Sequence, residues 1–383
     1  MDGARADGAM TTPVCDLVLL SWNHLDELTQ CVDSLVATTR TPCRLLIVDN
    51  ASDVATRQFL STIKPRNAII DVVLLQNETN EGFPRGMNRG IHTSTAPLVC
   101  LLNNDLVFTR GWLEEMVALA NSHPDIGVVN PTSNTFGNHP RNNQSLQAHA
   151  DSLANQRGVY TEVGMCIGFC MLIKRDVLSR VDGLSEDVDR MFFEDEDFSM
   201  QAQAAGYRCV VAAGCYVYHQ EHTSVRDVPE REALFAKNQR WCQEKWGRRI
   251  RIAWPRFAPL IPGSTELRQW LQSLIELARR RVYVYVYAPL ARSIDGNALI
   301  RSVGSVPHAD IQWRTIPRAM ARWSAAGLIL ARQKKPFDLI AAPDDRWAHL
   351  MMRLRWIHRA DVVLQSNEQE LTEQWRRKSR SLL

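Results

Sequence analysis

Residues Asp16 to Asp49 read DLVLLSWNHLDELTQCVDSLVATTRTPCRLLIVD, and their pattern decides the fold. Asp16–Ser21 is a short apolar run of strand type. Leu25, Leu28, Val32, Leu35 and Val36 then recur at helical spacing, and Arg44–Val48 is a second apolar run. The alternation continues outward. It predicts a helix from about Val54 to Ile63, a strand over Val72–Gln76 and a helix over Pro84–Thr93 behind the turn Asn80-Glu81-Gly82. A strand over Leu98–Asn103 and a helix over Trp112–Asn121 follow. Strands and helices in strict alternation predict an α/β fold, a mostly parallel sheet with helices on its faces. Ligands of such sheets bind at the carboxyl ends of the strands. Polar clusters fall at three of those ends, Ser21-Trp22-Asn23, Asp49-Asn50-Ala51-Ser52 and Asn103-Asn104-Asp105, so one shared crevice is expected.

Residues 130–158 are rich in Asn, His, Pro and Ser and read as a long loop, a candidate lid. Val163–Lys174 reads as one strand, and Cys209–Tyr218 as another. Glu194–Ala205 has an acidic start and helical composition, with the anions at the favourable end of the helix dipole.

Composition is that of a globular protein, 45% hydrophobic and 23% charged over 383 residues. No apolar run reaches membrane-spanning length, and the first residues lack the apolar core of a secretory signal, so a cytoplasmic chain is expected. Nine cysteines without a CxxC pair argue against zinc and for buried, reduced thiols. The net charge of +3 hides an asymmetry: residues 251–383 carry 22 basic and 11 acidic side chains, the preceding 250 carry 23 and 31. Seven of the eleven tryptophans also lie in that last third. A boundary is therefore expected near 250, with a disordered lead-in over 1–14, one α/β domain over 15–250 and a smaller basic domain over 251–383, α/β or mostly helical. In that last part, 265–281 is an amphipathic helix, VYVYVYAPL (282–290) a strand, and Phe337–Ala342 and Asp361–Gln365 further strands.

Three residues or runs bear on chemistry. A carboxylate at a strand end, Asp105, suits Mg2+ or Mn2+ with positions left for water or phosphate; Asn-Asn-Asp is equally good turn chemistry. Glu194-Asp195-Glu196-Asp197 places four acids in a row. Neighbours on a helix point about 100° apart, so one can face a crevice while the others cap the helix or meet solvent. A plain acidic helix start is the other reading of this run. His219 follows a strand, as a ligand or as a half-buried histidine with a backbone partner, and His222 competes for any role.

Taken in order, LVLLSWNHLDELTQCVDSL, LIVDNAS, LLQNETNEGFPRGMNRGI, LVCLLNNDLVFTRGWLEEM, GFCMLIKRDVLSRVDGLSE, FFEDEDFSMQAQAAGYR and VYHQEHTS resemble the family 2 glycosyltransferases, nearest to a rhamnosyltransferase-like branch. The resemblance runs over about 15–225 and implies the GT-A fold. It implies an inverting, divalent-metal-dependent transfer of sugar from a nucleotide-sugar to an acceptor hydroxyl, in surface polysaccharide or glycan synthesis. By position it assigns Asp195 as the base, with Glu194 and Asp197 on the acceptor side. Asp105 and His219 become metal ligands, with Ser224 following in the pattern. Ser21, Asn23, Asp49, Asn50, Gly82, Arg85, Asn88, Asn103 and Asn104 become the nucleotide-sugar site. The sequence departs from the family in Asn103, where the first acid of the DxD element is usual, and in Gln201, where an arginine is usual.

The partners implied are a nucleotide-sugar and a glycan or lipid-linked glycan. The Arg- and Trp-rich last third adds peripheral membrane contact as a candidate, against a solvated basic face; nucleic acid ranks last because no binding module appears. Two rivals remain at this stage, a GT-A-like module that binds without turnover and a sugar nucleotidyltransferase. The latter lacks its Gly-rich, basic loop after the first strand.

Overall fold

The computed structural model of the chain describes residues 12–221, 230–290, 295–332 and 334–380, so most of the expected lead-in lies outside the described residues. The chain divides into two compact units, residues 1–160 with 165–239, and residues 161–164 with 240–383.

The first unit begins with β1 (Cys15–Ser21), α1 (Leu25–Thr38), β2 (Cys43–Asp49), α2 (Val54–Thr62), β3 (Ile69–Gln76), α3 (Gly82–Thr93) and β4 (Leu98–Leu102). β5 (Leu106–Phe108), α4 (Trp112–Ser122), β6 (Ile126–Thr132) and α5 (Leu146–Ser152) follow, then β7 (Tyr160–Val163), all of which but Tyr160 belongs to the second unit. The remaining elements are β8 (Cys170–Lys174), α6 (Arg175–Leu178), α7 (Glu194–Ala204) and β9 (Arg208–His219). The sheet order is β3-β2-β1-β4-β8-β6-β9-β5. β3, β2, β1 and β4 run parallel, β8 lies antiparallel between β4 and β6, and β9 parallel to β6. This is the mostly parallel α/β sheet that the alternation predicted. The order reverses between β1 and β4, the switch point where a crevice must open. Its rims are Ser21-Trp22-Asn23 and Asn103-Asn104-Asp105.

Both sheet faces are covered, so the central strands are apolar without alternation: all seven residues of β1 are buried. The exception proves instructive. Asp16 is fully buried at the amino end of β1, and its carboxylate takes Arg44 Nε and Nη2 at 3.0 and 2.8 Å and the amides of Thr95 and Ala96. A buried acid so saturated is a structural clasp. α3 rests directly on β1 because Gly86 and Gly90 carry no side chain. A Cβ there would stand 2.5 Å from Leu20 Cδ1 and 2.2 Å from Val18 Cγ1.

Two expectations are corrected. The 130–158 segment is not a structureless lid. Residues to Thr132 complete β6, Asn134–Phe136 form a single 3-10 turn, and α5 follows, capped by Ser145. Val163–Lys174 is not one strand either. β8 starts only at Cys170, because the fully buried Asn130 takes the Ile167 amide on Oδ1 and donates Nδ2 to the carbonyls of Ile167 and Cys170. Those bonds hold residues 166–169 out of the ladder. All nine cysteines are buried thiols.

The second unit is a five-stranded, wholly parallel sheet. Its strands are β10 (Ile250–Pro255), β11 (Val282–Ala288), β12 (Ile311–Thr315), β13 (Leu339–Ala342) and β14 (Asp361–Leu364), in the order β12-β11-β10-β13-β14. Helices Thr265–Arg279 and Asp345–Arg353 pack on it, so the α/β alternative holds for this part and the mostly helical one does not. β10 and β12 escaped the reading of the sequence, and much of the arginine excess is absorbed locally: Arg279 is bidentate to Glu162, and Asp361 collects Arg355, Arg377 and Lys378.

Candidate active site

A cavity of about 740 Å3 opens at the switch point of the first unit. Of the residues singled out from sequence, Asn50, Gly82, Asn103, Asn104, Glu194, Asp195 and His219 line it. Each is put there by a strand end or a helix start.

At one end of the cavity, β5 pairs antiparallel with β9, with Leu106 opposite His219. That register sets Asp105 Oδ1 3.3 Å from His219 Nε2, and the Gln220 amide donates to the Asp105 carbonyl. Asn103 Nδ2 lies 3.4 Å from the same Nε2. The imidazole is held on every side. Phe169 stacks on it at 5.1 Å and 12°, Thr135 Oγ1 meets Nδ1 at 3.1 Å, and the Asn134 side chain brackets the His219 backbone through both amide atoms. Thr135 and Asn134 belong to the segment read as a lid; their part in fixing His219 had no signal in the sequence. His222 and Ser224 lie outside the described residues.

Beside the switch point, Asn23 and Ser52 tie the loops after β1 and β2 together. The Asn23 amide donates to Ser52 Oγ, and the Asp53 amide to Asn23 Oδ1, at 3.0 and 2.8 Å. Asn23 adopts the left-handed region (φ 55°), which asparagine tolerates better than most side chains. Asp49 accepts the Ser52 amide on Oδ1. Asn50 holds the approach to α3, accepting from Asn77 and the Glu81 amide and donating to Asn80 and the Gly82 carbonyl. Gly82 is required twice: its φ is +80°, and a Cβ would stand 2.8 Å from Arg190 Cα.

At the acid end, α7 starts with Glu194 and Asp195. Asp195 takes one amide on each oxygen, Glu196 on Oδ1 at 2.8 Å and Gly168 on Oδ2 at 3.2 Å. Burial pushes Asp195 up to about 6, against the downward pull of those amides. Glu194 goes further, to about 8, from burial first and the neighbouring Asp195 charge second. Such a split suits a pair in which one acid accepts a proton near neutrality while the other stays protonated. Among the described residues, Ser21 Oγ, Asp49 Oδ2, Asn103 Oδ1 and Glu194 Oε2 are buried polar atoms without a hydrogen-bond partner. Two of them, Asn103 Oδ1 and Glu194 Oε2, belong to residues that line the cavity and mark where a ligand's polar groups belong, since leaving them unmatched is costly.

Other candidates sit behind the wall. Asp197 is fully buried and takes Gln201 Nε2 at 2.7 Å, which shows what Gln201 does in place of an arginine. Asn88 clasps the Leu184 backbone through both amide atoms and reaches Glu186. Arg85 is an exposed partner of Glu186 at 3.5 Å. Ser21, Asn23, Asp49 and Asp105 flank the lining residues and do not themselves line the cavity.

The segment before α7 escaped sequence reasoning altogether. Arg190, Phe192 and Phe193 all have positive φ (58°, 74° and 72°). Asn238, on the helix Arg231–Trp246, is 1% exposed and donates Nδ2 to the carbonyls of Asp189 and Met191 at 3.0 and 2.7 Å. The Phe83 amide donates to the Arg190 carbonyl at 2.6 Å. The only cue was the Phe-Phe pair beside the acids.

As to the residues that could hold a divalent ion, Asp105, His219 and the unmatched Asn103 Oδ1 supply oxygen and imidazole donors of the right kind. No group of three or more His, Cys, Asp or Glu side chains could hold a metal ion among the described residues, so the remaining positions would fall to water or to substrate oxygens.

Residues 16–182 match the family model described as Glycosyl transferase family 2, a stretch covering most of the first unit. Among curated relatives, the uncharacterized protein y4gI of Sinorhizobium fredii is 27% identical over 256 residues, 61% of this chain and 28% of that one. The glucosyl-dolichyl phosphate glucuronosyltransferase of Haloferax volcanii is 26% identical over 112 residues, 29% of this chain and 35% of that one. The chain thus spans well under two thirds of either relative. Among solved structures, the mannosyltransferase PcManGT of Pyrobaculum calidifontis, in complex with GDP-Man and Mn2+, aligns with a TM-score of 0.44 at 18% identity, covering 60% of this chain and 66% of that one.

Proposed function

We propose that the first unit transfers a sugar from a nucleotide-diphosphate-sugar to an acceptor hydroxyl with inversion at the anomeric carbon, in glycan or surface polysaccharide synthesis. The observation that carries this reading is one cavity at the sheet's switch point, lined by His219 beside Asp105 at one place and by Asp195 at another. A hydroxyl is a poor nucleophile until a carboxylate takes its proton, and Asp195 is poised for that near neutral pH. The two amides on Asp195 fix the carboxylate's orientation toward the acceptor. Asp105 and His219 would hold Mg2+ or Mn2+, whose charge offsets that gathering on the leaving diphosphate. The carboxylates lining the cavity, Glu194, Asp195 and Glu196, all come from the first turn of α7. That one-sided placement favours a single displacement over the two-carboxylate route through a covalent intermediate. The nucleotide lies against the loops after β1 and β2, where Ser21 and Asp49 keep unmatched oxygens.

The acceptor on this reading is a glycan or lipid-linked glycan, and any membrane contact is peripheral: no helix among the described residues is long and apolar enough to cross a membrane. The test is a calorimetric screen of UDP-, GDP- and dTDP-sugars, with and without Mn2+, on wild type and Asp105→Ala. Metal-dependent binding of one nucleotide class, lost in Asp105→Ala, supports the donor site. Binding followed by turnover that vanishes in Asp195→Asn supports transfer, whereas binding with no turnover for any acceptor favours a non-catalytic module.

A further inference from the structure

Phe192, Phe193 and Phe235 form a cluster on the cavity wall that the donor chemistry does not use. The Phe235 ring meets Phe192 at 5.4 Å and 73° and Phe193 at 5.0 Å and 55°, so two consecutive side chains of the α7 approach converge on one ring of the helix Arg231–Trp246. Such convergence is not the ordinary outcome for neighbours in sequence. It is achieved by placing both phenylalanines in the left-handed region (φ 74° and 72°), where a side-chain-bearing residue is strained because its Cβ crowds the following carbonyl oxygen. Strain of this kind persists only where the surroundings impose it, here through Asn238 and the Phe83 amide, and it concentrates at working sites. Folding gains little in return, since Phe235 remains 43% exposed and its partners are half-buried.

Resting on the transferase reading, we infer that Phe192, Phe193 and Phe235 are the acceptor platform, stacking on the C–H face of a pyranose ring whose hydroxyl is delivered to Asp195. Phe193 is the residue that caps α7, two positions before Asp195, so the rings border the carboxylate that must receive the acceptor's proton. An acceptor is therefore what they touch. The chemistry of the wall selects its face: phenyl rings have an electron-rich surface and no hydrogen-bonding groups, and a pyranose offers polarised C–H bonds on one face and hydroxyls around its edge. The edge hydroxyls are left to the polar atoms of the same cavity, among them the unmatched Glu194 Oε2.

The test is saturation-transfer NMR on the full chain with methyl glucoside, galactoside, mannoside and rhamnoside as probes, and with octyl glucoside as an alkyl control. It is run in the presence of whichever nucleotide diphosphate the calorimetric screen retains, and without nucleotide if none is retained, so failure of the donor reading is registered separately. The expected result is saturation of ring C–H protons in at least one methyl glycoside. Phe235→Ala should weaken that binding roughly tenfold and Phe235→Tyr should keep it, with the nucleotide affinity shifted less than twofold. Folding of each variant is checked by its thermal transition, and Phe193→Leu serves as the second variant should Phe235→Ala fail to fold. No saturation of any pyranoside, saturation confined to the octyl chain, or binding indifferent to both substitutions would overturn the inference.

Discussion

Asp105 Oδ1 lies 3.3 Å from His219 Nε2 across 114 residues of sequence, because the three-residue strand β5 pairs with the end of β9. The pair is thus a product of sheet register, and the Asn134 side chain and Thr135 hydroxyl then fix the imidazole plane. The first prediction follows from that geometry. If the two side chains share an ion, Asp105→Ala and His219→Ala should each weaken nucleotide-sugar binding in Mn2+ by tenfold or more. The double variant should lose little beyond either single one, because the partners act as a unit. Thr135→Ala should lower the metal affinity roughly tenfold without removing a ligand, as expected for an outer partner that orients one. Calorimetric titration of Mn2+ in the presence of the nucleotide measures all four.

The acid end sets a pH dependence. On the proposed role as base Asp195 must be ionised to take the acceptor's proton, and burial holds its carboxyl up to about 6. The rate at low acceptor concentration should therefore fall about tenfold per pH unit below that value and level off above it. Gly168→Pro deletes the amide that donates to Asp195 Oδ2, one of the groups pulling its pKa down, so the acidic limb should move upward in pH. A limb that stays near the ordinary aspartate range of about 4 in wild type would mean that burial does not raise the pKa of the base.

Much of the first unit was legible before any coordinates because β1 to β4 alternate with amphipathic helices and end in polar clusters, and local pattern suffices for that. What escaped depends on contacts far apart in sequence. β5 is too short to show a period. The break ahead of β8 is imposed by Asn130 from another strand, and Asn238 lies on a helix whose surface carries no motif. The acceptor-side role expected of Asp197 fell to helix geometry: it points away from the cavity to Gln201, a consequence of the 100° step that the sequence itself could state but not orient. Asn88 and Arg85 show a related limit, since sequence position marks a residue near a donor site and does not distinguish lining it from bracing it.

Glu194 gives a prediction on stability. The folded chain holds its proton up to about 8, whereas an unfolded chain releases it near 4.3. As pH rises through that interval the unfolded state sheds the proton first, so the folded state loses stability between about 4.3 and 8 and the loss levels off above 8. Glu194→Gln cannot ionise and escapes the loss. Urea unfolding should show the variant close to wild type at pH 4.5 and more stable at pH 8.5 by up to about 5 kcal/mol. Equal pH dependence in the two proteins would mean that Glu194 is charged in the folded state at neutral pH.

Asn238 provides the last prediction, as a positioning residue that touches neither substrate nor ion. Its side-chain amide is the shared donor to the Asp189 and Met191 carbonyls, and between and just beyond them lie the three residues held at positive φ that set the start of α7. Asn238→Ala should cost about 1–3 kcal/mol, the price of two carbonyls left without their donor. Asn238→Asp should be worse, since a carboxylate cannot donate and would face both oxygens. A role confined to stability would lower the thermal transition and leave the turnover of folded molecules as it was. If Asn238 instead keeps the left-handed Phe192 and Phe193 in place, kcat should fall by tenfold or more in molecules that remain folded, with the nucleotide-sugar affinity unchanged, because the loops after β1 and β2 make no use of it. Steady-state kinetics well below the melting temperature, paired with calorimetry of the donor, separates the two outcomes: loss of kcat at constant donor affinity assigns the residue to aligning Asp195, and a lowered thermal transition with kcat and donor affinity both unchanged assigns it to the fold alone.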